Sequence, residues 1–423
     1  MPELWSNWAG QQRCAPERIE RPGSEDELAA IVAGATHVKA VGSGHSFTDI
    51  ACTDGVLLDL GRMNRVLAVD GELVTVEAGI TLRKLGTELA ERGLAMENQG
   101  DIDSQTLAGA ISTATHGTGA RFRNLSAQVA GLRLVTSGGE VADIGGDSDD
   151  LRAARVGLGA LGAISAVTLR CVPLFTVRRV DEPRSLGETL ERLDELADAH
   201  DHFELFAFPY TDTALVRMSE RGSFEPEPVD PRRQFLQERV LENGVLGAGV
   251  RVGRRFNRLI PVVNRGFSAL VSRQVRTDHG HRVYATRRDV HFTEMEYGVP
   301  REHGAEAARR VLELVRRRRL PIGFPIEVRV VAADDAFLST ANGRDTAYVA
   351  VHQYVGMEFE SYFRAVERIM EDYGGRPHWG KRHYQSAATL RDRYPDWDRF
   401  QEVRARLDPD GRFRNEYTDR VLG

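Results

Sequence analysis

One histidine, His45, stands between a Gly-Ser-Gly turn and a Ser-Phe pair, directly after an apolar segment that predicts a strand. A neutral imidazole nitrogen is a nucleophile, and the small neighbours Gly42 and Gly44 leave it sterically open. Glycine also lets the backbone lie against a ligand, because no Cβ stands in the way. The stretch is not a nucleophile elbow, which needs a central serine in G-x-S-x-G. We expect either a reactive histidine beside a ligand or a histidine that only hydrogen-bonds in a turn.

Two further places carry charges that could act on a substrate. In the segment PIEVRVV, strand alternation puts Glu327 and Arg329 on one face and valines on the other. Such a pair needs either a surface location or buried partners, and both readings stay open. Lys381, in the motif HWGK, is one of three lysines among 56 basic residues. Its compact ammonium is suited to approach a substrate oxygen, although a solvated surface lysine is the plain alternative.

A second stretch of small residues, QTLAGAISTATHGTG, covers residues 105–119. It offers hydroxyls and unshielded backbone amides, which chains place where phosphate oxygens approach closely. Each small-residue loop alone is typical of a turn, but the two together predict a dinucleotide held from two sides. The G-x-G-x-x-G at residues 157–162 does not predict a Rossmann site, because it precedes a strand instead of opening a helix.

The strands and helices that must position these residues follow a different pattern before and after residue 175. Before it, short strands alternate with few helices; the predicted strands are 38–41, 55–60, 73–78, 128–135 and 163–172, and the helices start at Glu25 and at Thr81. Beyond it, a helical segment from Ser185 leads into a strand over FELFAFPY. A later series has strands at 290–299, 325–333 and 347–354 and amphipathic helices at 301–320 and 360–375. We therefore predict an α+β protein with two domains, the second an antiparallel sheet covered by helices.

Composition narrows the class of protein. The chain has 423 residues, 41% of them hydrophobic, and a net charge of −6, which gives no whole-protein argument for nucleic-acid binding. Three widely spaced cysteines, Cys14, Cys52 and Cys171, predict reduced thiols. The sequence shows no leader pattern and no apolar run of membrane-spanning length, so we expect a cytoplasmic protein.

Arginine is concentrated in residues 251–288, which hold ten arginines and one acid, and again in the run 316–319. Such segments favour a solvated or acid-paired face, with peripheral contact to anionic lipid or an acidic redox partner as the alternative. The nearby His279 and His281 lack a supporting carboxylate or cysteine cluster, so we predict no metal site.

Five motifs, in order along the chain, resemble one enzyme family. They are VGSGHSFTD, LAGAISTATHGTG, GLGALGAIS, IEVR and RPHWGK. The chain resembles the FAD-linked oxidases of the vanillyl-alcohol oxidase superfamily, and within it the sugar-lactone and alditol oxidoreductases. The resemblance implies an FAD-binding domain of the PCMH type over residues 5–175, a cap domain over 176–375, and a C-terminal segment, 376–423, that returns to the FAD site.

The resemblance also implies roles for individual residues. Family members with a histidine at the place of His45 carry the flavin bonded covalently to it through the 8α-methyl carbon. The matching FAD contacts are Gly42, Ser43, Gly44, Ser46, Thr106, Gly109, Thr113, Thr115, His116, Gly117, Ala163 and Ile164. Glu327, Arg329 and Lys381 match catalytic and substrate-binding positions, and Tyr354 is a weaker substrate-binding candidate because related alditol oxidases differ there.

The implied reaction is oxidation of the C2 hydroxyl of an aldono-1,4-lactone of the L-gulono type, by hydride transfer to flavin N5. One alternative is an alditol oxidase that acts on a terminal primary alcohol, as in xylitol or sorbitol. A second, of a different class, is a non-catalytic protein that binds acidic partners through a basic face. The electron acceptor, whether oxygen, a cytochrome or a quinone, stays open.

Overall fold

The computed structural model describes residues 3–227, 256–286 and 290–423. The strands are Trp5–Ser6 (β1), Arg13–Cys14 (β2), Arg18–Glu20 (β3), Val38–Val41 (β4), Val56–Asp59 (β5), Val66–Asp70 (β6), Leu73–Glu77 (β7), Leu94–Ala95 (β8), Val129–Val135 (β9), Val141–Gly145 (β10), Ala163–Arg170 (β11), Val172–Pro173 (β12), Thr176–Ser185 (β13), His202–Ala207 (β14), Thr213–Gly222 (β15), Gln274–His279 (β16), Phe292–Pro300 (β17), Ile326–Val331 (β18), Thr346–Tyr354 (β19) and Arg376–Pro377 (β20).

The α-helices are Glu25–Gly34 (α1), Leu82–Ala90 (α2), Leu107–Ser112 (α3), Asp149–Ala154 (α4), Leu186–Glu191 (α5), Leu193–Ala199 (α6), Ile260–Leu270 (α7), Gly280–Tyr284 (α8), Gly304–Arg318 (α9), Glu360–Glu371 (α10), Ala387–Leu390 (α11), Trp397–Leu407 (α12) and Glu416–Leu422 (α13). Within the described ranges, no helix is both long enough and apolar enough to cross a membrane.

The N-terminal half is built on two sheets that hold the small-residue loops. A parallel sheet has the order β3-β5-β4, and an antiparallel sheet has the order β10-β9-β11-β7-β6. The loop that carries His45 begins where β4 ends at Val41. The second loop enters α3, where the hydroxyl of Thr106 accepts the N–H of Gly109 at 3.3 Å and so caps the helix. Both loops are therefore fixed at the ends of regular elements.

The other half of the protein contains an eight-stranded antiparallel sheet. Its strand order is β16-β13-β15-β14-β18-β19-β17-β20. One of its faces is apolar: Leu205, Val328 and Val349 are register neighbours and pack in one cluster with Val311 of α9 and Phe363 of α10. Because side chains alternate along a strand, the opposite face carries the polar residues between them. Helices thus cover one face of the sheet, and the other face is left for the site.

Two large hydrophobic clusters account for most of the core. One joins the N-terminal sheets to the C-terminal helices α12 and α13, and the other lies between the eight-stranded sheet and its helices. The α+β fold class is confirmed. The domain bounds at residues 175 and 375 stay a prediction; the first cluster also takes in Ala336, Phe337 and Leu338 from the range expected for the cap.

Several details differ from the expectation. The helical segment from Ser185 is two short helices, α5 and α6, and β13, β15 and β16 were not predicted. These three strands are rich in arginine and acids, which pair across the sheet and so mask the alternation of apolar residues. In the arginine-rich segment, residues 251–255 and 287–288 lie outside the described residues.

Candidate active site

A cleft of about 940 Å³ opens where β4 ends, and residues from 41–46, 105–113 and 158–164 line it. We call it the glycine cleft, since glycine shapes its walls. A Cβ at Gly42 would collide with Oγ1 of Thr106, and Gly44 has φ +67°, which L side chains rarely adopt. Larger residues at these positions would fill the cleft or strain its wall.

His45 lines the glycine cleft, and its Nε2 atom lies 2.7 Å from Oγ of Ser104. Burial, reinforced by the positive charge of Lys381, lowers the pKa of His45 to about 4. The imidazole is therefore neutral at pH 7, as a nucleophilic nitrogen must be. The ring of Trp8 lies beside it, with a centroid separation of 5.5 Å.

The loop of His45 is joined directly to the HWGK motif from the other end of the chain. The backbone N–H of Phe47 donates to the carbonyl of Gly380 at 2.7 Å. Nζ of Lys381 then lies 5.3 Å from the centroid of the Phe47 ring. This hydrogen bond explains how Lys381 comes close enough to influence the pKa of His45.

A second cavity, of about 560 Å³, adjoins the glycine cleft, and Gln105 lines both. We call it the charged cavity. Its acidic lining residues are Asp101, Glu294, Glu296 and Glu327. Its basic lining residues are His116, Arg329, His352, His378 and Lys381. Because buried charges need partners, their pairing determines what the cavity can do.

Glu327 and Arg329 form an ion pair here, with side chains only 8% and 9% exposed, so the surface alternative is wrong. Nε of Arg329 also donates to Oε2 of Glu204 at 2.9 Å, and its Nη2 lies 3.4 Å from Asp101. Burial raises the pKa of Glu327 to about 7; Arg329 opposes this rise and Asp101 and Glu204 add to it. Burial disfavours the charge of Arg329, but the three carboxylates hold its pKa well above normal. A permanent cation thus stands beside a carboxyl that can exchange a proton near neutral pH.

Lys381 is anchored by a second ion pair, with Glu294. Its side chain is 18% exposed, so the solvated alternative is wrong. Burial opposes both charges, but Glu294 and Glu296 raise the pKa of Lys381. Lys381 and His352, in turn, lower the pKa of Glu294 to about 2. The charged cavity therefore keeps a fixed ammonium as well as a guanidinium.

His116, Glu296 and His378 form a third group on the wall, with one potential ligand atom of each within 4.8 Å of the others. Nδ1 of His116 lies 2.8 Å from the carbonyl of the next residue, and its Nε2 lies 3.2 Å from Oε1 of Glu296. His378 accepts the N–H of Gly380 at 3.1 Å through Nδ1. Both ring nitrogens of His116 and the Nδ1 atom of His378 therefore have polar partners beside the cavity.

The expected flavin contacts divide among the cavities. Those that line the glycine cleft are Gly42, Ser43, Gly44, His45, Ser46, Thr106, Gly109, Thr113 and Ile164. Thr115 and His116 line the charged cavity, and Gly117 lines a third cavity beside Arg329. Ala163 is fully buried and is not among the residues that line the cleft.

The expected catalytic residues Glu327, Arg329 and Lys381 come together in the charged cavity. Tyr354, in contrast, packs beside the cluster of Phe47, Phe292 and Phe324. It does not line the charged cavity.

Sequence reasoning missed five titratable residues of the lining, namely Asp101, Glu294, Glu296, His352 and His378. Glu294 and Glu296 had a signal, because two acids two positions apart in an apolar strand share one face. His352 is the register partner of Glu294 across β17 and β19, so it follows only once the pairing is known. Asp101 carries no local signal.

The glycine cleft fits FAD on two observations. A Cβ at Gly42 would collide with the wall of the cleft, and the neutral imidazole of His45 lines it. The charged cavity next to it offers hydrogen-bonding groups to a small polar substrate.

Comparison with known families gives two matches. Residues 167–421 match the family described as D-arabinono-1,4-lactone oxidase, and residues 16–145 match the family described as FAD binding domain.

Comparison with known proteins agrees with both. The chain is 60% identical to L-gulono-1,4-lactone dehydrogenase of Mycobacterium tuberculosis, over 100% of each chain. It is 33% identical to L-gulonolactone oxidase of Mus musculus, over 99% of this chain and 98% of the other. Among solved structures, a solvent-stable cholesterol oxidase superposes with a TM-score of 0.83 at 18% identity, covering 99% of this chain and 97% of the other, which shows a shared fold.

Proposed function

Because the chain belongs to the D-arabinono-1,4-lactone oxidase family, we propose that it uses FAD to oxidise the C2 hydroxyl of an aldono-1,4-lactone of the L-gulono type. The observation that carries the proposal is the buried Glu327–Arg329 pair, which lies with Lys381 in a cavity adjoining the glycine cleft. The product is a 2-keto-lactone, which enolises to an ascorbate-like compound.

Bound FAD supplies the two-electron oxidant that accepts the C2 hydrogen as hydride. Arg329 orients the lactone through the N–H groups of its guanidinium that remain after Nε donates to Glu204 and Nη2 meets Glu327 and Asp101. Its permanent charge also stabilises the negative charge that develops on the C2 oxygen as the hydride leaves. Lys381 contributes a second fixed cation, which is close enough to His45 to lower the pKa of its imidazole.

Glu327 takes the proton of the C2 hydroxyl in this proposal. A general base works best when its pKa lies near the working pH, and burial raises the pKa of Glu327 to about 7. Arg329 holds the carboxyl in place through their ion pair.

We propose that His45 bonds covalently to the flavin. The support is its place on the wall of the glycine cleft, its low pKa and the hydrogen bond with Ser104 that orients the ring. Acid denaturation of the purified protein followed by a denaturing gel tests this. A fluorescent protein band that is absent from His45→Ala is the expected result, and flavin released into the supernatant would contradict it.

We further propose that electrons pass to a cytochrome- or quinone-type acceptor in preference to oxygen. The support is the dehydrogenase name of the relative that is 60% identical. Rates with an artificial dye acceptor and with dissolved oxygen, measured on one preparation, test this. Equal or faster turnover with oxygen would contradict it.

The test of the reaction itself compares L-gulono-1,4-lactone with xylitol in a dye-coupled assay. We expect turnover of the lactone, loss of about 10²–10³-fold in kcat for Glu327→Gln because the base is removed, and no change for the surface variant Glu402→Gln. Faster turnover of xylitol would favour the alditol oxidase alternative, which the family matches do not favour. A colourless protein without flavin would favour the binding-protein alternative.

The arginine-rich surface supports one weaker element of the proposal, a peripheral contact with an anionic membrane. Helix α7 exposes Val262 and Leu270, and Arg258 and Arg265 are exposed beside them. Apolar and basic side chains together are typical of interfacial helices. Co-sedimentation with anionic vesicles but not with neutral vesicles is the expected result; equal recovery from both would contradict it.

A further inference from the structure

A third cavity, of about 360 Å³, lies beside the charged cavity, and Asp101 and Arg329 line both. We call it the side cavity. Gly100 lines the charged cavity and the preceding residue, Gln99, lines the side cavity, so one chain segment forms a wall of each. The glycine cleft shares Gln105 with the charged cavity, whereas no described residue lines both it and the side cavity. The cavities therefore follow in the order glycine cleft, charged cavity, side cavity.

The ionic groups around the side cavity are already paired. Asp181, Arg217, Glu204 and Arg329 are register neighbours on four adjacent strands and alternate in sign. Nε of Arg217 lies 2.9 Å from Asp181 and its Nη1 lies 2.7 Å from Glu204. Arg179 is paired as well, with 3.2 Å between its Nε and Asp181. This compensation leaves the cavity suited to a neutral ligand that makes hydrogen bonds.

One neutral group in the side cavity has an unused donor. Gln99 is 5% exposed, and its Nε2 has no hydrogen-bond acceptor among the residues that the structure describes. A buried amide without a partner is unfavourable, so it indicates a ligand or a water that completes the site. Ser219 and Tyr284 add hydroxyls to the same lining. The lining thus resembles a site for hydroxyl groups.

The geometry of a 1,4-lactone fits this arrangement. Its ring contains C1 to C4, and the exocyclic tail of the sugar is attached at C4, across the ring from C2. When C2 is presented toward the glycine cleft, the tail points away from the cleft. The side cavity lies in that direction, because it follows the charged cavity on the far side from the glycine cleft.

We propose that the side cavity binds the exocyclic hydroxyl tail of the lactone, with the Gln99 amide donating to a tail hydroxyl. Asp101 and Arg329 stand at the boundary, where they contact the ring on one side and the tail on the other. This inference rests on the proposed function. It makes Gln99 a substrate-binding residue that selects lactones with a hydroxylated tail over lactones without one.

The test measures kcat/KM for a six-carbon lactone, L-gulono-1,4-lactone, and for a four-carbon lactone that lacks the tail. We expect the wild type to prefer the six-carbon lactone. In Gln99→Leu, which keeps the side chain's bulk but removes the donor, we expect that preference to fall about three- to tenfold, the range for one neutral hydrogen bond. The fall should appear as a higher KM for the six-carbon lactone. Gln401→Leu, on the remote helix α12, is the matched control and should keep the wild-type preference.

Two results would overturn the inference. One is a Gln99→Leu enzyme in which both lactones lose the same factor, as expected if the amide only binds a structural water. The other is a wild type that turns over both lactones equally well. Ser219→Ala is the second variant, for use if Gln99→Leu does not fold; it should reduce the preference in the same direction.

The experiment separates this inference from the proposed function. If the wild type oxidises neither lactone although flavin is bound, the proposed function fails. If it oxidises both without regard to the tail, only the role of the side cavity fails. Rapid mixing of the anaerobic enzyme with increasing concentrations of each lactone gives the affinity from the rate of flavin reduction, independently of the electron acceptor, and the same preference is expected there.

Discussion

The glycine cleft and the charged cavity adjoin each other, but their walls are built on different physics. The cleft depends on what is missing: Gly42 and Gly44 leave space that a Cβ would take. The cavity depends on what is present: four carboxylates that contact Arg329, Lys381, His116 and His352. The difference teaches that a cofactor site can be set by local backbone shape, whereas a reactive site needs charges assembled from distant strands.

The contrast extends to the state of the titratable groups. On the wall of the cleft, burial and the charge of Lys381 lower the pKa of His45 to about 4, so its imidazole is neutral. In the cavity, burial raises the pKa of Glu327 to about 7. One neutral nucleophile and one carboxyl that titrates near pH 7 thus line two adjoining cavities.

The largest expected effect comes from breaking the charge pairing with Arg329→Met. Glu327, Glu204 and Asp101 would lose their shared cation, so we expect the free energy of unfolding to fall by about 3–5 kcal/mol. The kcat should fall by about 10²–10³-fold because the stabilising charge is lost. Thermal unfolding and the dye-coupled assay measure the two effects. Arg399→Met, an exposed arginine paired with Asp149 and Asp396, is the control and should change neither; an active, stable Arg329→Met would mean that the charge is dispensable.

The second-largest expected effect is that of Gly42→Ala, which tests whether the glycine cleft needs a residue without a side chain at this position. The added methyl would collide with Oγ1 of Thr106, so we expect a loss of about 1–3 kcal/mol in the free energy of unfolding. The flavin content of the purified protein should fall with it, because the methyl narrows the cleft. Gly187→Ala is the matched control: nothing lies within 4 Å of a Cβ there. In helix α5 it should raise the free energy of unfolding by about 0.5–1 kcal/mol. Full flavin content in Gly42→Ala would show that the cleft tolerates a side chain.

His45→Ala acts at the boundary between the two regions and should have a smaller effect on rate. The glycine walls and the charge pairs remain, so we expect flavin to bind without a covalent bond. The kcat should fall about tenfold, the size of one lost positioning contact. Gel fluorescence and kcat measure the two changes. His303→Ala, remote from both cavities, should keep the covalent band; a covalent band in His45→Ala would place the bond elsewhere.

The two regions also differ in how far sequence could predict them. The cleft was predictable because its signal is local: Gly42, Gly44 and His45 lie within four consecutive residues, and the second loop is one continuous stretch. Helix bounds followed from apolar periodicity, as in Gly304–Arg318, expected at 301–320. The flavin contacts expected of Thr115, His116 and Gly117 stay a prediction; these residues line the two cavities that follow the cleft.

The charged cavity was predictable only in part. Strand alternation placed Glu327 and Arg329 on one face, but their burial depends on Glu204 of β14, which is a register partner of Arg329. Glu294 and His352 meet only because β17 pairs with β19. Register across an eight-stranded sheet is a tertiary property, so no short motif records it.

The smallest predicted effect is that of Asp101→Asn, which removes one negative charge from the lining of the charged cavity. The charge of Asp101 adds to the burial that raises the pKa of Glu327 to about 7, so removing it lowers that pKa. Glu327 would then stay ionised at lower pH, and the acidic limb of the kcat/KM profile should move to lower pH by less than about one unit. The exposed Asp143→Asn should leave the limb in place. A limb that moves to higher pH, or disappears, would assign it to another group. Because folding raises the pKa of Glu327 from 4.5 to about 7, ionisation of Glu327 lowers the free energy of unfolding as the pH rises through that range. Asp101→Asn should make this loss smaller. Thermal unfolding at several pH values across the range measures it.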